Sequence, residues 1–250
     1  MNTDKLLARY DATSLRQRLA AAGVMRSLSE RGFEHLEVVI DSRGRALPHA
    51  LLFGQKDRQR YLLLDACVGE AVVRPKFFHE RQSTISAPID LAVVHWVREE
   101  DPTACFSPNR PALPLQEHPG LGILRRAFRV IVEIAAELNK DGVASVPKFF
   151  HDAVIFFRSR LFLFLDGGEQ GRFEALMRDL QSLPLPAASL ALVNGMVRNA
   201  SGAPVSWVPG YQVFPISPCL TAYFHSAAYA DAVALARNAL RFRVERGESA

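Results

Sequence analysis

The stretch that decides the fold is Gln116-Glu117-His118-Pro119-Gly120-Leu121-Gly122. Glycine at two of its positions lets a ligand approach the backbone closely. After this turn, apolar residues recur every three or four positions, at Leu124, Phe128, Ile131, Ala135 and Leu138.

This spacing predicts one face of a helix of about four turns. The first N–H groups of such a helix have no acceptor within the helix, and such groups attract anions. Arg125 and Arg126 add positive charge in the first turn. The turn is therefore a candidate phosphate or pyrophosphate site. The alternative is an ordinary loop-to-helix junction with a proline near the helix start.

The composition is that of a globular protein with a sizeable core: 250 residues, of which 49% are hydrophobic and 22% charged. The net charge of +4 comes from scattered Lys and Arg residues and not from a basic run. A basic run or stripe is the usual signature of nucleic-acid binding. We therefore expect no nucleic-acid partner, and a small anionic ligand instead.

The three cysteines, Cys67, Cys105 and Cys219, lie far apart and form no CxxC pair. No zinc or redox motif is visible, so we expect no metal, and an odd, sparse count is typical of a reducing cytosol. The N-terminus is polar and does not resemble a signal peptide. No apolar run is long enough to span a bilayer. We expect a cytoplasmic protein without an integral membrane segment.

The first part of the chain predicts a helix followed by a β-meander. Ser14 is the expected N-cap of a helix that runs to about Glu30 and is ended by Gly32. The run Leu91–Val97 is mostly apolar and predicts a central strand, with a helix started by Pro88 and Asp90 as the alternative. The strands predicted before it are Leu36–Ile40, Leu47–Phe53, Tyr61–Leu64 and Glu70–Val73.

From Gly120 to Leu165 the predicted order is helix, strand, helix, strand, which suits a packed α/β layer. The elements predicted after the helix that follows the glycine turn are a strand at Val143–Val146, a helix at Phe149–Arg160, a strand at Leu161–Leu165, a helix at Glu169–Leu180, strands at Leu190–Val197 and Val205–Phe214, and a helix at Ala227–Arg243.

The segment Glu117–Phe162 resembles the core of the GNAT-like N-acyltransferases. That family holds the pyrophosphate of acyl-coenzyme A with a turn of the form Gln/Arg-x-x-Gly-x-Gly/Ala, and Glu117-His118-Pro119-Gly120-Leu121-Gly122 has this glycine spacing. The family's second helix has the pattern Ala-x-x-x-Tyr-x-x-x-x-Phe, and Ala153, Phe157 and Phe162 stand at these offsets. The N-terminal helix and the β-meander also lie where the family places them.

The resemblance implies an α/β (α+β) fold: a mixed, largely antiparallel central sheet flanked by helices, with a C-terminal extension. It implies a single domain over residues 1–250, in which residues 181–250 are an extension or a lobe that completes the sheet. The implied function is acyl-coenzyme A-dependent N-acyl transfer. Acetyl-coenzyme A or a longer acyl-coenzyme A is the implied co-substrate, and a small-molecule or peptide amine is the implied acceptor. A homodimer is left open.

Two departures from the family's motif support an alternative. Glu117 stands where the family has Gln or Arg, and a carboxylate near a pyrophosphate is repulsive unless it points away. Gln116 lies one place earlier and could substitute. Phe157 stands where the family often has a tyrosine that protonates the leaving thiolate, and phenylalanine cannot donate a proton. The alternative is a catalytically inactive GNAT-like module that binds a ligand or a protein partner.

Glu37, His95 and His118 are the candidate bases for the acceptor amine. His151, at the start of the second helix, is expected near the acyl-donor thiol. Each has a structural alternative: a surface carboxylate for Glu37, a buried, hydrogen-bonded core histidine for His95, a locally bonded loop histidine for His118, and helix capping by Asp152 for the His151-Asp152 pair. The predicted cofactor-binding residues are Gly120, Leu121, Gly122, Ile123, Leu124 and Arg125.

Overall fold

The computed structural model describes residues 5–74, 85–108, 111–159 and 162–245. The chain divides into two compact units. The first comprises residues 1–71, 90–112 and 116–143, and the second comprises residues 72–89, 113–115 and 144–250. Residues 181–245 therefore belong wholly to the second unit. That residues 1–250 form one domain stays a prediction.

The first unit is a meander of strands with helices packed around it. Its strand order is β1-β2-β3-β4-β5, and the β1-β2 and β2-β3 pairs are antiparallel. The predicted class, a mixed and largely antiparallel α/β fold with flanking helices, is confirmed. The elements that lie wholly or partly in this unit are α1 (Ala12–Ala21), α2 (Val24–Ser29), β1 (Glu34–Asp41), β2 (His49–Lys56), β3 (Gln59–Val73), β4 (Ile89–Glu99), α3 (Leu124–Glu137) and β5 (Gly142–Ser145).

The predicted N-terminal helix is two helices. Gly23 separates α1 from α2 with a φ of 80°, a left-handed conformation that interrupts a right-handed helix. The N-cap is Asp11 and not Ser14: the Asp11 Oδ1 atom accepts a hydrogen bond of 2.8 Å from the Ser14 amide. Asp11 therefore satisfies one of the amides that the start of the helix leaves unpaired.

The strand predictions hold for the meander with one change. The two strands predicted at Tyr61–Leu64 and Glu70–Val73 are one continuous strand, β3. The run Leu91–Val97 is part of a strand, β4, and not of a helix. Residues 91–94 of β4 are all buried, which explains why their apolar run lacks the alternation of a half-exposed strand.

Helix α3 confirms the periodicity that follows the glycine turn. It begins at Leu124, directly after the turn, and ends at Glu137. It buries one face, made of Ala127, Phe128, Val130, Ile131, Ile134 and Ala135.

The second unit is mainly helical, with two short antiparallel strand pairs. β6 pairs with β8, and β7 pairs with β9. Residues 160 and 161, the end of one predicted helix and the start of one predicted strand, lie outside the described residues. The elements of this unit are α4 (Phe150–Arg158), β6 (Leu163–Phe164), α5 (Gly167–Asp179), α6 (Leu185–Val193), β7 (Val197–Asn199), β8 (Gln212–Pro215), α7 (Pro218–Phe224), α8 (Ala227–Ala239) and β9 (Phe242–Val244).

Three predictions in this unit are wrong in whole or in part. The predicted strand Val205–Phe214 is a strand only from Gln212, in β8, and residues 205–211 form neither helix nor strand. The first half of the predicted strand Leu190–Val197, residues 190–193, is helical, in α6, because Pro184 and Pro186 stand at the helix start, where proline favours a helix. The last helix ends at Ala239, and residues 242–244 form β9 instead of a further helical turn. The Asp179 carboxylate accepts a 2.8 Å hydrogen bond from the Phe242 amide at the start of this strand.

The closest helix packing in the second unit joins α5 to α8. A Cβ added at Gly171 would lie 2.4 Å from the carbonyl oxygen of Val233 and 2.7 Å from the Cβ of Ala236. One turn earlier on α5, a Cβ at Gly167 would lie 2.8 Å from the Cβ of Ala232. The two backbones therefore approach as closely as they do because α5 carries glycine at both positions.

Candidate functional site

The glycine turn between β4 and α3 is held by its own buried side chains. Leu121 and Ile123 are completely buried. Gly122, between them, has a φ of 69°, which glycine adopts without strain. The Asp101 amide, just after β4, donates a 2.7 Å hydrogen bond to the carbonyl oxygen of Pro119. The turn is thereby fixed against the end of β4.

Two amides of this turn converge on one carboxylate. The Leu121 N–H donates to Oε2 of Glu99, and the Gly122 N–H donates to Oε1 of the same side chain at 3.1 Å. A Cβ at Gly120 would lie 3.0 Å from Oε1, so the carboxylate lies directly against the turn. The prediction that these N–H groups are unpaired and face outward is therefore wrong for Leu121 and Gly122, because the protein supplies its own anion.

The next amides along the chain form the start of α3. The N-cap residue, Ile123, makes no side-chain capping hydrogen bond, and its carbonyl oxygen accepts from the amides of Arg126 and Ala127 at 2.9 and 3.0 Å. The amides of Leu124 and Arg125 have no acceptor within the described part of the chain. The helix start thus keeps two donors for a further acceptor.

Basic side chains border the turn. The Arg31 guanidinium lies 3.9 Å from the position that a Cβ of Gly122 would occupy. It is also 3.8 Å from the carboxylate of Asp101, which is buried and accepts hydrogen bonds from the amide and hydroxyl of Thr103 at 3.0 and 2.7 Å. Arg125 is exposed on the first turn of α3. These cations favour a negatively charged group at the turn.

Glu117 and His118 are two further polar residues of the turn. The Glu117 carboxylate is 74% exposed and lies 3.8 Å from the Arg98 guanidinium, so its charge is paired with β4 and not with the turn amides. His118 is half-buried, and the local hydrogen bond predicted for it is not found among the described residues. His118 therefore remains the candidate base that is closest in sequence to the turn.

The first unit keeps Glu37 and His95 apart. Glu37 on β1 is exposed and bonds Arg60 at 3.0 Å, as predicted for a surface carboxylate. The prediction that His95 is a buried core residue is wrong: it is exposed on β4, with Nε2 2.8 Å from the position that a Cβ of Gly69 would occupy. Two strands separate β1 from β4, a lateral spacing of about 14 Å, and Glu37 pairs through Phe53 with Leu62 of β3, whereas His95 lies against Gly69, farther along the same strand.

His151 lies in the second unit, and it is buried among other side chains of the protein. Its Nδ1 lies 2.8 Å from the Ser189 hydroxyl, and its ring stacks on Phe149 at 5.3 Å. Burial lowers the pKa of His151, so the imidazole is neutral at physiological pH. Asp152 accepts a 3.1 Å hydrogen bond from the Phe149 amide, which confirms its predicted role as a helix cap.

The structure thus brings together the six predicted cofactor-binding residues, since they are contiguous, and does not bring Glu37 to His95. Sequence reasoning missed Glu99, the residue that occupies the turn. The available signal was the acidic run Glu99-Glu100-Asp101, directly after the predicted strand and before the proline-rich connection. An acidic run at the end of a strand is usually solvated, so this signal was weak.

No protein-family model and no curated protein matches this chain. The GNAT-like resemblance therefore depends on the motifs and the element order of this sequence alone.

Two further kinds of site are not found in the described ranges. No group of three or more His, Cys, Asp or Glu side chains there is arranged to hold a metal ion. None of the helices formed by these residues is long and apolar enough to cross a membrane.

Proposed function

We propose that this chain is an acyl-coenzyme A-dependent N-acyltransferase-like protein whose pyrophosphate site is the glycine turn, closed by Glu99 when no coenzyme A is bound. The observation that carries this proposal is the convergence of the Leu121 and Gly122 amides on one carboxylate. Two adjacent amides that bond both oxygens of one anion have the donor geometry that a phosphate group requires.

The surroundings of the turn support an external anion. Displacement of Glu99 exposes two donors, and the amides of Leu124 and Arg125 follow directly at the helix start. Arg31 and the exposed Arg125 supply positive charge. A pyrophosphate carries more negative charge and more acceptor oxygens than a carboxylate, so it gains more from these groups than Glu99 does.

The chain order agrees with this function. β4 leads into the glycine turn, and α3, β5 and α4 follow, as the resemblance implies. In the proposed reaction an acceptor amine attacks the thioester of acetyl- or longer acyl-coenzyme A, and the thiol of coenzyme A leaves.

The second candidate is a catalytically inactive module on the same scaffold that binds a ligand or a protein partner. Glu99 favours it, because the carboxylate must leave before a phosphate enters. Phe157 also favours it, because its ring packs edge-on against Phe173 at 5.4 Å and offers no proton to a leaving thiolate. On this alternative the Glu99 contact is permanent and only stabilises the turn.

Calorimetric titration with acetyl- and octanoyl-coenzyme A separates the two candidates. The wild type is expected to bind, and Glu99→Ala is expected to bind about tenfold or more tightly, because coenzyme A no longer displaces a charged hydrogen-bond acceptor. The matched control is Glu100→Ala, which removes the neighbouring carboxylate and leaves the turn amides bonded. Absence of binding by both the wild type and Glu99→Ala rejects the acyltransferase proposal.

A further inference from the structure

A histidine–aspartate pair lies on the meander of the first unit. His49 is the first residue of β2, and Asp65 lies on the adjacent β3. The His49 Nδ1 atom is 2.6 Å from Asp65 Oδ1. Only 16% of the His49 side chain and 13% of the Asp65 side chain are exposed, so the pair is largely protected but reachable from solvent.

A residue of the neighbouring strand β4 holds the Asp65 carboxylate in place. The Trp96 indole N–H, on β4, donates a 3.1 Å hydrogen bond to Asp65 Oδ2. Both carboxylate oxygens of Asp65 are therefore used, one by Trp96 and one by His49. Three side chains from three neighbouring strands form one chain of hydrogen bonds, and Trp96, at its end, is 45% exposed.

These hydrogen bonds fix the orientation of the His49 imidazole, as a general base requires. A carboxylate that accepts from Nδ1–H fixes the tautomer of the imidazole and leaves the lone pair on Nε2. No group within the described residues bonds the His49 Nε2 atom. A base whose orientation is set by a third group is the arrangement that activates a nucleophile. Glu37 is paired with Arg60. His151 also lies beside a carboxylate, with Nε2 3.3 Å from Asp152 Oδ1, but it is buried and its Nδ1 contacts the buried Ser189 hydroxyl.

Trp96, which bonds Asp65, and Glu99, which bonds the glycine turn, lie on the same strand. They are three residues apart, which corresponds to about 10 Å along β4. Glu99 marks the pyrophosphate end of the proposed site. For the thioester to lie toward Trp96 and the His49–Asp65 pair, the pantetheine arm of coenzyme A must extend along β4 from that end.

We infer that His49 is the general base for acyl transfer and that Asp65 and Trp96 position it; this inference rests on the proposed function. The amine nitrogen attacks the thioester carbonyl carbon and forms the C–N bond. The C–S bond breaks, and the thiolate of coenzyme A leaves with the electron pair. His49 Nε2 accepts the proton that the attacking nitrogen loses and returns it to the thiolate, so the products are an amide and free coenzyme A thiol.

The test uses hydroxylamine as a small universal acceptor with acetyl-coenzyme A, and detects the released thiol. His49→Ala is expected to lower kcat by about 10²-fold or more, the usual contribution of a general base, with KM for acetyl-coenzyme A unchanged within about twofold. Added imidazole is expected to restore part of the rate in His49→Ala. The control is His225→Ala, an exposed histidine of the second unit, with the wild-type rate expected.

A second variant keeps the test valid if His49→Ala does not fold. Asp65→Asn preserves shape but no longer fixes the Nδ1–H tautomer, which the ¹⁵N shifts of His49 report, and it is expected to lower kcat without changing KM. A wild-type rate in a folded His49→Ala protein overturns the assignment of His49 alone. Binding of acetyl-coenzyme A without turnover by the wild type overturns that assignment and also favours the catalytically inactive module. Absence of coenzyme A binding by the wild type and by Glu99→Ala rejects the proposed function, and the assignment of His49 with it.

Discussion

Replacement of Glu99 by alanine is expected to destabilise the protein and, at the same time, to increase its stabilisation by coenzyme A. The carboxylate accepts two amide hydrogen bonds, one partly buried at Leu121 and one exposed at Gly122. A hydrogen bond to a charged group contributes about 1.5–3 kcal/mol, and exposure places the second bond at or below the lower end. The expected loss in the free energy of unfolding is about 2–3 kcal/mol. For a chain of this length the melting temperature falls by about 5–10 °C.

The ligand effect follows from the same contact. At a concentration about 100 times its Kd for Glu99→Ala, coenzyme A stabilises that variant by about 2.7 kcal/mol. If displacement of Glu99 costs about 2 kcal/mol, the Kd of the wild type is about 30-fold higher, and the same concentration stabilises the wild type by only about 0.8 kcal/mol.

The assay is thermal unfolding of the wild type and Glu99→Ala with and without coenzyme A. Glu100→Ala is the control, because the Glu100 amide, which the substitution keeps, donates a 3.3 Å hydrogen bond to the carbonyl oxygen of Leu63. It is expected to stay within about 0.5 kcal/mol of the wild type. Equal melting temperatures of Glu99→Ala and the wild type, or an equal coenzyme A shift in both, refute the reasoning that Glu99 occupies a phosphate site.

Three further predictions concern the second unit. Gly171→Ala is expected to lower the free energy of unfolding, measured by urea titration, by about 2 kcal/mol, because the added Cβ would lie 2.4 Å from a main-chain oxygen. The control is Gly168→Ala, where a Cβ meets only a carboxylate oxygen at 3.0 Å, and it is expected to change the free energy of unfolding by less than about 1 kcal/mol. Tyr229→Phe removes a buried 2.7 Å hydrogen bond to a main-chain carbonyl and is expected to cost about 1–2 kcal/mol; an unchanged denaturation midpoint contradicts this. The Arg178 guanidinium holds the pKa of Asp179 below its usual range, so this carboxyl contributes stability above about pH 4 that is lost as pH falls. In Asp179→Asn, the free energy of unfolding is expected to decline less steeply between about pH 5 and 3 than in the wild type. An unchanged slope counts against this prediction.

The sequence predicts the meander and α3 well because both depend on local pattern. The alternation or apolar run of each strand, and the three-to-four spacing after Gly122, are properties of neighbouring residues. The errors lie where one residue overrides the pattern. Gly23 divides the first helix, and the pair Pro184 and Pro186 starts a helix in a segment whose end was expected to be a strand. These signals were present in the sequence and were outweighed by hydrophobicity.

The candidate site was less accessible to sequence reasoning. The position of the glycine turn at the start of α3 follows from the sequence, but its occupant does not, because Glu99 is 22 residues from Leu121 and meets it only in the folded chain. The His49–Asp65 contact depends likewise on the pairing of β2 with β3. Register between strands is set by the whole sheet, so single residues on separate strands cannot be matched from local pattern.

The most direct test of the account is a ¹H–¹⁵N NMR titration of the wild-type protein with coenzyme A. The account predicts that the amide signals of Leu121 and Gly122 show the largest shifts, followed by Leu124 and Arg125, as the phosphate replaces the Glu99 carboxylate. Signals of these amides that stay unchanged at saturating coenzyme A, or shifts that occur only elsewhere in the chain, contradict it.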